Sequence, residues 1–185
     1  MPNLPSLPKG ARLLEVFTHF PELTRPLIEY HEILLRGPSP LSAADRELIA
    51  AYVSGLNACR YCHGIHARTA EAFGIEEGAL ETLVEDVEAA AGIDAKMRPL
   101  LRYVKKLTET PARMTESDAE PVYAAGWDET AMFHAVSICA LFNFMNRLVE
   151  GCGLKGDPGY ALEAGPRLMS EGYLPILDRM KVGEP

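Results

Sequence analysis

Cys59-Arg60-Tyr61-Cys62, with His66 one helical turn past the second cysteine and Glu47 upstream of the first, carries the chemistry of this 185-residue chain. Two thiols at that spacing can close a disulfide. A thiol at i and an imidazole at i+4 lie on one face of a helix, near enough for proton transfer. Asn57 is a good N-cap, which predicts a helix from Ala58 with Cys59 in its first turn, where the macrodipole favours thiolate over thiol. A CxxC pair at a helix start brings a cysteine pKa from about 8.5 down to roughly 3.5–7.5. The residue types and their spacing point to thiol redox chemistry.

Those side chains need a frame, and the frame reads as helical. Pro21 to Arg36 has apolar residues at helical spacing and stops at Gly37-Pro38. Ser42 with Asp45 resembles a capping box that opens a helix to Leu56. Further helices are expected over Ala58–Phe73, Glu76–Ala90 and Asp94–Thr108. A short one follows Thr115, and Asp128 caps a long apolar one ending at Glu150. No stretch alternates with period two, so strands are not expected. The fold expected is all-α, of about seven helices. Residues 1–20, rich in Pro, read as an arm, 21–154 as the helical domain, and 155–185 as a Gly- and Pro-rich tail with one short helix near Tyr173–Lys181. The Asp128–Val149 helix is apolar nearly all round and is expected at the centre or at a subunit contact.

Bulk properties narrow the function. A net charge of −8 and a pI of 5.2 leave no basic cluster for nucleic acid. The N-terminal residues lack the regions of a signal peptide, and no uninterrupted apolar run approaches the ~18 residues of a membrane span. A cytoplasmic enzyme is expected, and in a reducing compartment a CxxC serves catalysis or metal binding sooner than a structural disulfide.

Four readings of the cysteine pair compete: a thiol–disulfide or peroxide-reducing site, covalent haem, zinc, and two buried packing residues. Cys59-x-x-Cys62-His63 matches the haem-attachment pattern, but that attachment needs export. Zinc wants four ligands, and Cys59, Cys62 and His66 supply three. The expected cap and the neighbouring His66 argue against simple packing. His19 and His31 have no partner at a suggestive spacing. His134 reads as a hydrogen-bonded core or interface histidine, and Cys139 and Cys152 as packing cysteines. Asn143, Asn146 and Arg147 are polar groups on an otherwise apolar helix and must be satisfied, at the thiol pocket or at a subunit contact.

The segments Leu41-Ser42-Ala43-Ala44-Asp45-Arg46-Glu47-Leu48-Ile49-Ala50 and Asn57-Ala58-Cys59-Arg60-Tyr61-Cys62, with His66, resemble the alkylhydroperoxidase D-like branch of the carboxymuconolactone decarboxylase superfamily. The later Ala140-Leu141-Phe142-Asn143-Phe144-Met145-Asn146-Arg147-Leu148 is similar to its uncharacterised peroxidase-related subgroup. Decarboxylase members of that superfamily lack the cysteine pair. The resemblance implies that Cys62 is the peroxidatic thiol, Cys59 the resolving thiol, His66 the imidazole that takes the thiol proton, and Glu47 the carboxylate that relays it. No cofactor and no metal are expected. Well-studied members carry a histidine directly before the second cysteine; here that position is Tyr61, whose hydroxyl can donate to a thiolate, a peroxide oxygen or Glu47.

The function expected is therefore a thiol-dependent peroxidase or disulfide reductase. Its partners would be a peroxide or small disulfide and an external dithiol, a lipoyl group or another thiol carrier. The alternative is a redox-sensing or metal-binding helical protein that uses the same thiols without turnover. Cys62 is expected to be the more exposed and more acidic of the pair. A homo-oligomer (dimer, trimer or hexamer) is expected, because the arm needs a surface to lie on and related proteins assemble in this way.

Overall fold

In the computed structural model, which describes residues 2–181, the chain is all-α, with no strand among the described residues. Ten helices run in the order α1 (Leu13–His19), α2 (Pro21–Arg36), α3 (Ala43–Leu56), α4 (Arg60–Ala72), α5 (Ala79–Glu85), α6 (Met97–Glu109), α7 (Glu116–Ala124), α8 (Glu129–Gly151), α9 (Pro158–Glu171) and α10 (Pro175–Lys181). The seven expected helices correspond to α2–α8, and α10 is the short helix expected near Tyr173–Lys181. The two that were not expected, α1 and α9, lie in the segments read as arm and tail.

Local chemistry explains the boundaries. The Ser42 amide donates to Asp45 Oδ2 at 3.0 Å and the Asp45 amide donates back to Ser42 Oγ at 3.1 Å, the reciprocal pair that starts α3. The Asp128 carboxylate takes the Ala131 amide at 2.7 Å and starts α8. Buried Arg46 reaches back to the Leu34 and Gly37 carbonyls at 3.1 and 2.8 Å, satisfying the open end of α2. The helix expected over Glu76–Ala90 is only the two turns of α5, entered through left-handed Gly78.

The helix buried on every side is α3, where each residue from Arg46 to Ser54 is closed off from solvent. It packs against α4, α8, α5 and α6. By length and composition α8 could cross a membrane, but 56% of its most apolar window is buried in the bundle. Its remaining face leaves Phe133 and Phe144 in solvent, 68% and 53% exposed.

A second, smaller apolar cluster covers the start of α4. It joins Leu7, Ala11 and Val16 from the N-terminal segment, Cys59, Tyr61, Cys62 and Ile65, and Ala161 and Ala164 from α9. Burying each of the larger members contributes roughly 1.5–3 kcal/mol. The N-terminal segment is pinned to its own chain: the Asn3 amide donates to the Cys152 carbonyl at 2.8 Å and Asn3 Nδ2 to the Gly151 carbonyl at 3.0 Å. These bonds fill acceptors that the C-terminus of α8 leaves open. The arm therefore lies on its own chain.

Candidate active site

The turn between α3 and α4 sets the thiols. Asn57 is the C-cap of α3 and not the N-cap of α4; the N-cap is Cys59 itself, two residues later than expected. The cause is Ala58, which adopts a left-handed φ of 53° and turns the chain so that the Cys59 amide donates to the Ser54 carbonyl at 2.9 Å. Asn57 is used differently. Its Nδ2 donates to Asn143 Oδ1 at 3.1 Å and to Asn146 Oδ1 at 2.9 Å. Asn146 Nδ2 donates in turn to Ser54 Oγ at 3.0 Å. The polar groups of α8 are thus spent on bracing the thiol turn, which answers where Asn143 and Asn146 find their partners.

Both cysteines of the pair are free thiols and both are buried. Cys62 is 4% exposed and lines a cavity, whereas Cys59 is 0% exposed. Accessibility follows the expected order, and acidity runs the other way. The Cys62 thiol and the Cys62 backbone N–H both point at the Cys59 sulfur and lower its pKa, against burial and the nearby Glu150 carboxylate. The same thiol–thiol bond, with burial, pushes Cys62 well up, and Asn146 offsets only part of this. Sulfur occupies the N-cap position, so the open amides of the helix start favour charge on Cys59.

Opposite the pair, Glu47 is completely buried and takes three donors. Arg36 Nη1 lies 2.6 Å from its Oε1, the Tyr173 hydroxyl 2.8 Å from the same oxygen, and His66 Nδ1 2.7 Å from Oε2. Burial works to raise the Glu47 pKa, but His66, Arg36 and Tyr173 together hold it below the usual range. Tyr173, buried beside that charge, is pushed well above the ordinary phenol value and remains a donor. Glu47 fixes the His66 ring with Nδ1 turned inward. His66 Nε2 has no protein hydrogen bond among the described residues and is not sealed off, so it opens on the cavity.

The cavity holds about 310 Å³ and is built by the segments expected to be arm and tail. α1 and α10 roof it, α9 forms one wall, and α2 and α8 close the others. Cys62, His66 and Tyr61 face it from α4. Tyr61 is a brace: its hydroxyl accepts the Leu13 amide at 3.0 Å and ties α1 to α4. The phenol on Glu47 is Tyr173, from the segment read as tail.

Sequence reasoning missed three residues here. Arg36 and Tyr173 complete the Glu47 cluster. His31, which had no partner by spacing, lies in the cavity wall with Nδ1 2.7 Å from the Leu27 carbonyl, beside Tyr173 and edge-on to Phe142. Arg36 at the end of an amphipathic helix, and Tyr173 after a helix-ending Gly172, gave no local signal of meeting Glu47. The expected hydrogen bond of His134 is also not found: its Nδ1 is buried without a partner. Cys139 is buried against Thr108, 3.2 Å from its Oγ1, and Cys152 is buried in the second cluster. Among the described residues no three His, Cys, Asp or Glu side chains converge as a metal set, and His66 Nδ1 is taken by Glu47.

The model of the Carboxymuconolactone decarboxylase family matches residues 21–106, a span that includes Glu47, Cys59, Cys62 and His66. A solved structure of an uncharacterized peroxidase-related protein from Silicibacter sp. TM1040 is similar at 26% identity and a TM-score of 0.74, over 80% of this chain and 78% of that one. Another, described as an alkylhydroperoxidase AhpD core and uncharacterized peroxidase-related protein from Ralstonia eutropha JMP134, is similar at 21% identity. It has a TM-score of 0.74 over 82% of this chain and 78% of that one, and it shows the shared fold. No curated protein matches the chain. The family match and the two structures bear out the superfamily resemblance drawn from the sequence.

Proposed function

We propose that this alkylhydroperoxidase D-like chain is a thiol peroxidase, in which Cys62 reduces an organic hydroperoxide and Cys59 closes the disulfide. One observation carries the reading: Cys62 and His66 face the same cavity, and Glu47 holds His66 Nδ1 at 2.7 Å with Nε2 free.

The steps balance with the groups present. His66 Nε2 takes one proton from the thiol pair, through a water or through the substrate's own oxygens. The remaining proton passes from Cys62 to Cys59 along the contact between the two sulfurs, and the Cys62 thiolate so formed attacks the terminal peroxide oxygen. The S–O bond forms as the O–O bond breaks, Cys62 becomes the sulfenic acid, and the alkoxide takes its proton from His66. The Cys59 thiol then attacks the sulfenic sulfur, releasing water and leaving a Cys59–Cys62 disulfide. An external dithiol, a lipoyl group or another thiol carrier, returns both cysteines to thiols and leaves as its own disulfide. Glu47 acts on His66 by orienting the ring. Its three donors make it a poor proton acceptor, so it is a positioning carboxylate. Tyr61 shapes the cavity through its bond to Leu13.

The proposal places the enzyme in the cytoplasm, where thiol reductants are abundant, and as a homo-oligomer. With the arm on its own chain, the oligomer rests on the exposed Phe133 and Phe144 of α8. The test is thiol titration with metal analysis. Loss of two thiols per chain on adding an organic hydroperoxide, restored by a dithiol, supports the reading. A stoichiometric zinc or haem, or thiols indifferent to peroxide, overturns it.

A further inference from the structure

The cavity carries a charge pattern that the peroxidase chemistry leaves unused. The chain as a whole is acidic, with 26 Asp and Glu against 18 Lys and Arg. Around the cavity the balance reverses: Arg12, Arg167 and Arg179 line it with a single carboxylate, Glu163.

Two of the three guanidinium groups are occupied. Arg12 pairs with Asp157 at 3.6 Å and lies over the Tyr160 ring at 4.1 Å. Arg179 pairs with Glu171. Arg167, on α9, makes no ion pair and donates no side-chain hydrogen bond among the described residues, and its side chain is half-buried in the wall. A guanidinium stripped of part of its water with no internal anion is a ready partner for an external one. Its fork of N–H groups matches a carboxylate in particular. Phe17, Ile28, Ile65, Phe142 and Met145, which line the same cavity as Arg167 and Cys62, give it an apolar lining.

We propose that the cavity binds amphipathic monocarboxylates, with the carboxylate on Arg167 and the apolar body against this lining. The substrate class is then a hydroperoxide of an apolar carboxylic acid, its peroxide end toward Cys62. The reacting end rests on the peroxidase reading, whereas the binding claim stands apart from it.

Octanoate, which has no peroxide group, tests the binding directly by calorimetry, with octanamide as its uncharged counterpart. Octanoate binds the parent protein and binds the Cys62→Ser protein equally well, and its affinity falls as salt rises. Loss of one charge-assisted hydrogen bond weakens octanoate by about tenfold or more in Arg167→Gln. Arg167→Lys recovers part of that loss, and octanamide affinity is the same in all four proteins, which also reports an intact cavity. Equal affinity of the parent for octanoate and octanamide overturns the proposal, as does undiminished octanoate binding by Arg167→Gln. If octanoate binds as described but the thiols ignore peroxide, the peroxidase reading fails and the ligand class stands.

Discussion

His66 Nδ1 lies 2.7 Å from Glu47 Oε2 in the interior, and the other oxygen of that carboxylate takes Arg36 and the Tyr173 hydroxyl. Three helices (α2, α3 and α4) and the segment before α10 therefore meet at one buried charge. The cluster holds the His66 imidazole and the architecture at once, which separates two substitutions. Glu47→Gln leaves Arg36 as a buried charge without its counter-ion and costs about 3–5 kcal/mol of stability. Tyr173→Phe removes one neutral donor and costs about 1–3 kcal/mol. Urea unfolding of the two variants should show that order. Equal losses would mean that the Arg36 pair contributes nothing beyond a hydrogen bond.

Acid should destabilise the protein before its carboxylates titrate. Burial holds the His31 imidazole down to about 4 from an ordinary 6.5, against the Leu27 carbonyl, which raises it; His66 lowers it further and Glu47 raises it slightly. Between those two values the unfolded chain binds a proton that the folded chain refuses. Stability is thus fully present above pH 6.5 and declines toward pH 4, by on the order of 3 kcal/mol. Glu47 acts in a lower window. Its folded pKa is depressed, so its contribution is intact above the unfolded value of about 4.3 and is lost only as pH falls from there. Unfolding free energies measured from pH 7.5 to 4.5 should fall for the parent and stay nearly flat for His31→Gln. An unchanged slope in the variant assigns the acid sensitivity elsewhere.

Close packing of α9 on α4 makes Gly165 sensitive to a single carbon. A Cβ there would sit 2.5 Å from Arg68 Cβ and 2.7 Å from the Arg68 carbonyl carbon. Backbone cannot step aside, so Gly165→Ala forces α9 outward and costs about 1–3 kcal/mol. Gly151→Ala is the control, since nothing lies within 4 Å of the added atom. Thermal melts should show a drop of several degrees for the first, at roughly 2–4 °C per kcal/mol, and little for the second. Matching melting temperatures would mean that the helices separate without loss.

The parts of the site that were legible in sequence are those whose partners are close in the chain. Cys59, Cys62 and His66 share one helix turn and its neighbour, and Glu47 sits on the helix before them. Tyr173 lies 126 positions from Glu47, and no local pattern signals such a meeting. Asn57 misled because a good N-cap residue also suits the end of a helix, and Ala58 in the left-handed region moved the start of α4 by two residues. The helix α9 was hidden by Gly159, Gly165 and Pro166, which weigh against a helix in any count of propensities. Asp157-Pro158 was the usable signal: Asp157 Oδ1 takes the Gly159 amide at 2.9 Å, and Pro158 opens the helix. At Gly165 the missing side chain reflects contact with α4 and not a break.

The proposed assembly rests on the face of α8 that the fold leaves bare. Phe133 and Phe144 are separated by three helical turns and so share one side. Two exposed phenylalanines on one stripe favour association with a second copy. Sedimentation at micromolar concentration should give a dimer or larger species, and Phe133→Glu combined with Phe144→Glu should give a monomer. A parent protein that sediments as a monomer removes the oligomer from the account.

The most direct measurement is one round of oxidation in Cys59→Ser. Without the resolving thiol, one equivalent of organic hydroperoxide should leave a single oxygen on Cys62, captured by a sulfenic-acid reagent and located by peptide mass spectrometry. Cys62→Ser should consume no peroxide. Capture on Cys62 in the first variant, with silence in the second, is the result the cavity-facing position of Cys62 predicts. An unoxidised Cys59→Ser protein, or peroxide consumed by Cys62→Ser through Cys59, would contradict the assignment at its centre.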